Sequence, residues 1–237
     1  MNLDNLSIKL FADGADLKSI IELNNNSYIK GFTTNPTLMR LSGVSSYKSF
    51  AGEILNKIGN KSISFEVLSD DFDEMERQGN EIASWGENVY VKIPISNCAG
   101  APTFKVIKKL IKQGCKLNIT AIMTLEQITN VAGYLDSNIP SYISIFGGRI
   151  ADTGRDPVET FEKATKIIMN LAKCEIIWAS PRELLNVFQA EKAGCHIITL
   201  TKDLLNKMPL IGKDLTEYSL DTVKMFTEDA VKSNLKL

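Results

Sequence analysis

Short apolar runs alternate along the whole chain with longer stretches whose apolar residues return every three or four positions. The runs cover residues 7–13, 29–35, 62–68, 89–95, 116–122, 142–148, 175–180 and 196–201. Runs of this length, rich in Val, Ile, Tyr and Phe, read as buried strands, and the stretches between them read as amphipathic helices. The helical stretches are DLKSIIELN, SYKSFAGEILNKIG, DFDEMERQGNEIASWG, PTFKVIKKLIKQG, TLEQITNVAGYL, DPVETFEKATKIIMNLA and PRELLNVFQAEKAG, with TKDLLNKM after the eighth run. Asp, Ser, Thr or Pro opens many of them and Gly closes several, as helix caps require. Eight strands, each followed by a helix, predict an α/β fold: a (β/α)8 TIM barrel, formed by residues 1–237 as one domain. A doubly wound open sheet fits less well, given the strand count and the lack of a GxGxxG after the first run. A last helix over 215–234 is surplus to the eight units. Its apolar positions Leu220, Val223, Met225, Phe226 and Val231 could cap the barrel or dock on a neighbouring subunit.

Composition excludes more than it selects. Among 237 residues, 44% are hydrophobic, enough for a sizeable core, and 23% are charged, an ordinary surface. A formal net charge of −1 offers no field for nucleic acid or an anionic membrane. No apolar run approaches the length of a membrane span, and the opening MNLDNLSIKLFADG lacks the regions of a signal peptide, so a cytoplasmic protein is expected. Cys98, Cys115, Cys174 and Cys195 show no CxxC spacing and read as small buried hydrophobes kept reduced. His196, the only histidine, opens the apolar run HIITL and reads as structural. One histidine makes neither a usual catalytic zinc site nor a second base, and neither metal nor cofactor is expected.

One residue breaks the fourth run, VYVKIPI. Lys92 sits at its centre, and lysine is almost never fully buried unless paired. In a barrel the chemistry lies at the C-terminal ends of the strands and in the loops that follow. Polar residues gather at those positions here. Asp13 ends the first strand, and Thr33, Thr34 and Asn35 end the second. Glu66 lies in the third and Lys92 in the fourth. Asn118 and Thr120 share a face of the fifth, since strand side chains alternate. Ser144 and Phe146 share a face of the sixth, Arg149 follows, and Ser180 and Arg182 follow the seventh. Each has an ordinary structural alternative. Asn35-Pro36 could open a turn, Asp13 could cap DLKSI, Ser180 could cap PRELLN, Glu66 could simply pair with Lys92, and the arginines could be surface charges. Their convergence on one mouth favours a site.

A lysine held among apolar residues is more readily a free amine, which can attack a ketone. The protonated imine then stabilises the carbanion left when a carbon–carbon bond breaks. Asp13 and Glu66 could move the protons. Asn35, Asn118, Thr120 and Ser144 could hold a polyol, and Arg149, Ser180 and Arg182 a phosphate. The alternatives are a barrel that only binds sugar phosphates and a class I aldolase acting on another carbonyl compound.

GFTTNPTLM after a first strand ending in Asp, VYVKIP, LNITAI, SIFGGRIAD, WASPRELL and AGCHIITL together resemble the transaldolase family, in its shorter single-domain members. The resemblance runs from about Lys9 to the terminal helix. It implies a metal-free barrel that moves a dihydroxyacetone unit from a ketose phosphate to an aldose phosphate in the pentose phosphate pathway. By position, Lys92 would be the Schiff-base lysine and Asp13 would handle the C4-hydroxyl proton. Glu66 and Thr120 would hold a proton-relaying water. Asn35 and Asn118 would bind the dihydroxyacetone hydroxyls, with Thr34 and Ser144 near them, and Arg149, Ser180 and Arg182 would bind phosphate. It also implies a homo-oligomer, a pentamer or decamer built through the terminal helix. Fructose-6-phosphate aldolases in the same family carry Gln where Glu66 stands and Tyr where Phe146 stands, so both positions here match the transferase pattern. Two stretches depart from the family. Ser96 to Pro102 replaces a Thr-x-Glu-Gly and is expected beside the site, and Gly147-Gly148 suggests a loose lead into Arg149.

Overall fold

The computed structural model describes residues 6–233. Eight strands close into a parallel barrel in the order β1 to β8, with β8 paired back onto β1. They are β1 (Lys9–Asp13), β2 (Ile29–Thr33), β3 (Ser62–Glu66), β4 (Val89–Pro94), β5 (Leu117–Ile122), β6 (Ser141–Ile145), β7 (Cys174–Trp178) and β8 (Ile197–Thr201). The expected (β/α)8 barrel is therefore the observed fold, with strands shorter than expected at several C-terminal ends. Among the described residues no helix is long and apolar enough to cross a membrane.

The outer ring is made by α1 (Leu17–Asn24), α3 (Tyr47–Ile58), α4 (Phe72–Ala83), α5 (Phe104–Lys112), α6 (Leu125–Ala132), α8 (Val158–Ile167) and α9 (Leu185–Lys192), with α10 (Lys202–Asn206) after β8. Two helices escape the periodicity argument. The first is α2 (Pro36–Leu41). Pro36 stands at its first turn, and Asn35 caps it by accepting from the Leu38 N–H at 2.9 Å. The second is α7 (Gly147–Asp152), which turns β6 away from the sheet at Phe146. Both are six residues long, too short to display an amphipathic repeat. The terminal helix α11 (Leu215–Ser233) buries no residue in its own chain, so it does not cap the barrel. Asn234, the last residue of the expected helix, lies outside the described residues.

Inside the barrel the side chains stack in two unlike layers. Toward the N-terminal ends of the strands, Phe11, Tyr90, Tyr142, Ile177 and Ile197 form a separate apolar cluster. The rings of Tyr90 and Tyr142 stack at 4.0 Å, with Phe11 edge-on to Tyr142 at 5.9 Å. Gly31 makes room for this plug, since a Cβ there would lie 2.6 Å from the Phe11 ring. Two residues further along the same strands, the interior turns polar.

Candidate active site

The strand register sets the site. Glu66 on β3, Lys92 on β4 and Asn118 on β5 lie side by side, and paired residues of parallel neighbours face the same way, here into the barrel. Lys92 is only 6% exposed. Its tip, however, is not in apolar surroundings: Nζ stands 3.0 Å from Glu66 Oε2 and donates to the Thr34 carbonyl at 2.9 Å. The stem is covered while the ammonium is paired, as burial of a charge requires. The expected apolar setting of the amine thus gives way to a carboxylate and a backbone carbonyl. Tyr47 on α3 anchors the acidic partner by donating to the Glu66 carbonyl oxygen at 2.9 Å.

Asp13 does not cap α1. That work falls to Asp16, which accepts from the Ser19 N–H at 2.8 Å. Asp13 Oδ1 instead accepts from Thr33 Oγ1 at 2.8 Å, and Thr33 in turn meets Thr199 Oγ1 at 2.6 Å. Burial pushes the Asp13 carboxyl above its ordinary range, against the opposing pull of Lys92 and of the Thr33 hydroxyl, while Glu66 adds to the rise.

On the other side of Lys92, Asn118 is fully buried and locked. Its amide donates to Ser64 Oγ at 2.9 Å and its oxygen accepts from Ser144 Oγ at 2.7 Å. Thr120 differs: its Oγ1 is buried without a hydrogen-bond partner among the described residues. The residue itself lines the cavity that Lys92 also lines. Beside it, Ala121 has φ +61°, where the β5–β6 register slips, so consecutive residues Thr120 and Ala121 both reach the cavity.

A cavity of about 600 Å³ opens above these groups. Asp13, Asn35, Glu66, Lys92, Thr120, Ser144, Phe146, Arg149, Ser180 and Arg182 all line it. Thr34 and Asn118 do not. Thr34 turns its hydroxyl to the Ser64 carbonyl and offers Lys92 only its backbone oxygen. Asn118 lies beneath Ser144 as its hydrogen-bond partner. Sequence reasoning misses Thr199 and Thr201, which line the cavity from inside an apolar run. Period-two alternation from Ile197 was the signal available for them.

The far rim is cationic. Arg149 lies 5.9 Å from the centre of the Phe146 ring, and Arg182 donates from Nε to Asp152 Oδ1 at 3.0 Å, with a second, shorter contact from Nη2 to Oδ2. The Arg182 hydrogen bonds hold the Asp152 carboxyl below its ordinary range. Ser180 caps no helix. It takes φ +56°, and its carbonyl presses on α7, where a Cβ on Gly148 would lie 1.6 Å from that oxygen. A Cβ on Gly147 would meet Trp178 at 2.5 Å. The glycine doublet is therefore a tight wedge that packs the start of α7 against Trp178 and Ser180, not a loose lead. None of the residues from Ser96 to Pro102 lines this cavity. The loop folds into a hairpin-like turn held by Asn97, and Ser96, Asn97 and Cys98 line a separate cleft. Cys115, Cys174 and Cys195 are buried, whereas Cys98 is exposed. Burial pushes the Cys174 and Cys195 thiols up to about 12. His196 accepts the Ile176 N–H at Nδ1, 3.1 Å away, a structural contact between β8 and β7.

The family model described as transaldolase/fructose-6-phosphate aldolase matches residues 10–237. Two similar curated proteins are named "Probable transaldolase". That of Thermoanaerobacter sp. (strain X514) is 34% identical, covering 97% of this chain and 100% of its own length. That of Nitrosopumilus maritimus (strain SCM1) is 32% identical, covering 94% and 98%. Solved structures share the fold at far lower identity. A mandelate oxidase variant, 13% identical, superposes with a TM-score of 0.58 over 84% of this chain and 70% of its own. A dihydrodipicolinate synthase family protein from Coccidioides immitis, also 13% identical, gives 0.57 over 82% and 67%.

Proposed function

The chain belongs to the transaldolase/fructose-6-phosphate aldolase family, and on that premise we propose that it is a transaldolase. It transfers a dihydroxyacetone unit from a ketose phosphate, such as fructose 6-phosphate or sedoheptulose 7-phosphate, to an aldose phosphate in the pentose phosphate pathway. The observation that carries this reading is the buried Lys92–Glu66 pair at the floor of a cavity whose far rim holds Arg149 and Arg182.

The reaction starts when Glu66 takes a proton from the Lys92 ammonium, and the freed amine attacks the ketose C2 carbonyl. Loss of water, with protons passed through Glu66 and Thr120, leaves a protonated imine. Asp13 then removes the C4-hydroxyl proton, the C3–C4 bond breaks, and its electron pair enters the imine to give an enamine. The aldose phosphate leaves. An acceptor aldehyde enters, the enamine carbon attacks it, Asp13 returns its proton to the new hydroxyl, and water hydrolyses the re-formed imine to release the ketose phosphate and free Lys92. Asn35 and Ser144 hold hydroxyls of the retained unit, and Asn118 and the Thr34 carbonyl hold Ser144 and Lys92 in turn. Arg149, Arg182 and Ser180 hold the phosphate. Phe146 brings no proton to the enamine, which therefore persists until an acceptor arrives.

A second copy of the chain covers α11 in this reading, giving a homo-oligomer, a pentamer or decamer by family resemblance. Leu215, Phe226 and Val231 are 81%, 63% and 73% exposed there, and monomers rarely leave large apolar patches uncovered. A reduced cytoplasmic setting suits the four free cysteines. Borohydride reduction in the presence of fructose 6-phosphate, followed by peptide mass mapping, tests the central step. A reduced adduct on the peptide containing Lys92 is expected. An adduct at another lysine, or none, overturns the assignment.

A further inference from the structure

Thr199 belongs to β8 and sits within HIITLT, but its hydroxyl does not point into the apolar wall. It is buried to 3% exposure, lines the active cavity and meets the Thr33 hydroxyl at 2.6 Å. Thr33, equally buried, donates to Asp13 Oδ1 at 2.8 Å. The three residues come from β8, β2 and β1, which are neighbours around the barrel.

Counting protons fixes the direction of this chain. A threonine hydroxyl has one proton to donate and lone pairs to accept with. When Asp13 is ionised it can only accept, so the Thr33 proton is committed to Oδ1. The contact between Thr33 and Thr199 then requires Thr199 to be the donor. When Asp13 gains a proton the order can reverse, with Asp13 donating to Thr33, Thr33 to Thr199, and the Thr199 proton freed toward the cavity. Hydrogen bonds in such a chain polarise one another, so the outer one strengthens the inner.

Building on the assignment of Asp13 as the proton acceptor in C3–C4 cleavage, we propose that Thr199 is a positioning residue that acts through Thr33. It orients the Thr33 hydroxyl onto Asp13 and favours the carboxylate form that cleavage needs. The charged groups facing Asp13 across the barrel are Lys92 on β4 and Glu66 on β3. Asp16, Lys202 and Asp203 line a neighbouring cleft that Asp13 also borders. Among the described residues the hydroxyl bonded to the carboxylate is that of Thr33, and Thr199 reaches Asp13 only through it.

The test compares Thr199→Val, which keeps the shape and removes the hydroxyl, with Thr199→Ser, which keeps the hydroxyl. Asp13 is titrated by carboxyl 13C NMR, its signal assigned by loss in Asp13→Asn, and kcat/KM for donor cleavage is followed against pH. In Thr199→Val the Asp13 titration and the acid limb both move to higher pH. The activity lost at pH values on that limb is about two- to tenfold, the effect of one hydrogen bond. Thr199→Ser stays at the wild-type midpoint. If Thr199→Val fails to fold, Thr199→Ala also lacks the hydroxyl and is read the same way. An unmoved Asp13 titration in a folded Val or Ala variant overturns the proposal, as does a Ser variant that shifts equally. The NMR arm needs no turnover: a shifted midpoint in a chain that cleaves no ketose phosphate would refute the catalytic reading of Asp13 and leave the positioning intact.

Discussion

The two ends of the barrel interior are built from the same strands, two residues apart, and they behave as different materials. Phe11 gives way to Asp13, Tyr90 to Lys92, Tyr142 to Ser144 and Ile197 to Thr199. At the lower end, stacked rings fill the space, and Gly31 is bare because the Phe11 ring occupies the place of its side chain. At the upper end, nearly every polar side chain is tied to another: Lys92 to Glu66, Asp13 to Thr33, and Asn118 to Ser64 and Ser144. Thr120, whose buried hydroxyl oxygen has no partner among the described residues, also lines the cavity. The lower end is expected to govern stability and the upper end reactivity, so substitutions at the two ends should separate these properties.

The largest effect is expected at the upper end. In the proposed mechanism Lys92→Met removes the nucleophile, so borohydride trapping and transfer should both fall to background in a steady-state assay while ligand still binds. Asp13→Asn, which keeps the imine but loses the base, lowers kcat by about 10²–10⁴-fold. At the lower end, Tyr142→Ala opens a cavity in the aromatic plug. It should cost about 3–5 kcal/mol in urea unfolding and leave the pH profile of the remaining folded enzyme unchanged. A pH profile that moved with Tyr142→Ala would erase the division between the two layers. At the rim, Arg182→Ala removes charge-assisted contacts and should raise KM for a phosphorylated donor by about 10–100-fold with a smaller change in kcat.

The smallest effect concerns His196, outside both layers. Burial holds its imidazole below the ordinary value of 6.5, and its Nδ1 accepts a backbone N–H only when that nitrogen is unprotonated. The unfolded chain therefore binds the proton more readily. Stability from this group is present above 6.5 and is lost as pH falls from there through the lower folded value. His196→Gln should flatten that slope in denaturant midpoints measured across mildly acidic pH.

Much of this was legible in the sequence because parallel strands buried on both faces leave continuous apolar runs, and eight such runs leave few topologies. Lys92 was legible because it is a charge where none belongs. Its partner geometry was less so: whether its tip met apolar walls or Glu66 depends on register between β3 and β4, which no single strand encodes. Thr34 and Asn118 show the same limit. Their residue types suit a site, but backbone direction turned one hydroxyl to Ser64 and set the other side chain below Ser144. The hairpin-like turn of Ser96–Pro102, which does not line the cavity, rests on the Asn97 side chain, a local turn hidden in a polar loop. Thr199 was hidden by its apolar neighbours, since threonine is an ordinary strand residue.

The most direct measurement is glyceraldehyde 3-phosphate release from fructose 6-phosphate, with and without erythrose 4-phosphate. Release that depends on the acceptor is the expected result, because in the proposed mechanism Phe146 gives the enamine no proton and Glu66 matches the transferase pattern. Equal release without the acceptor would contradict it, making this chain an aldolase that frees dihydroxyacetone.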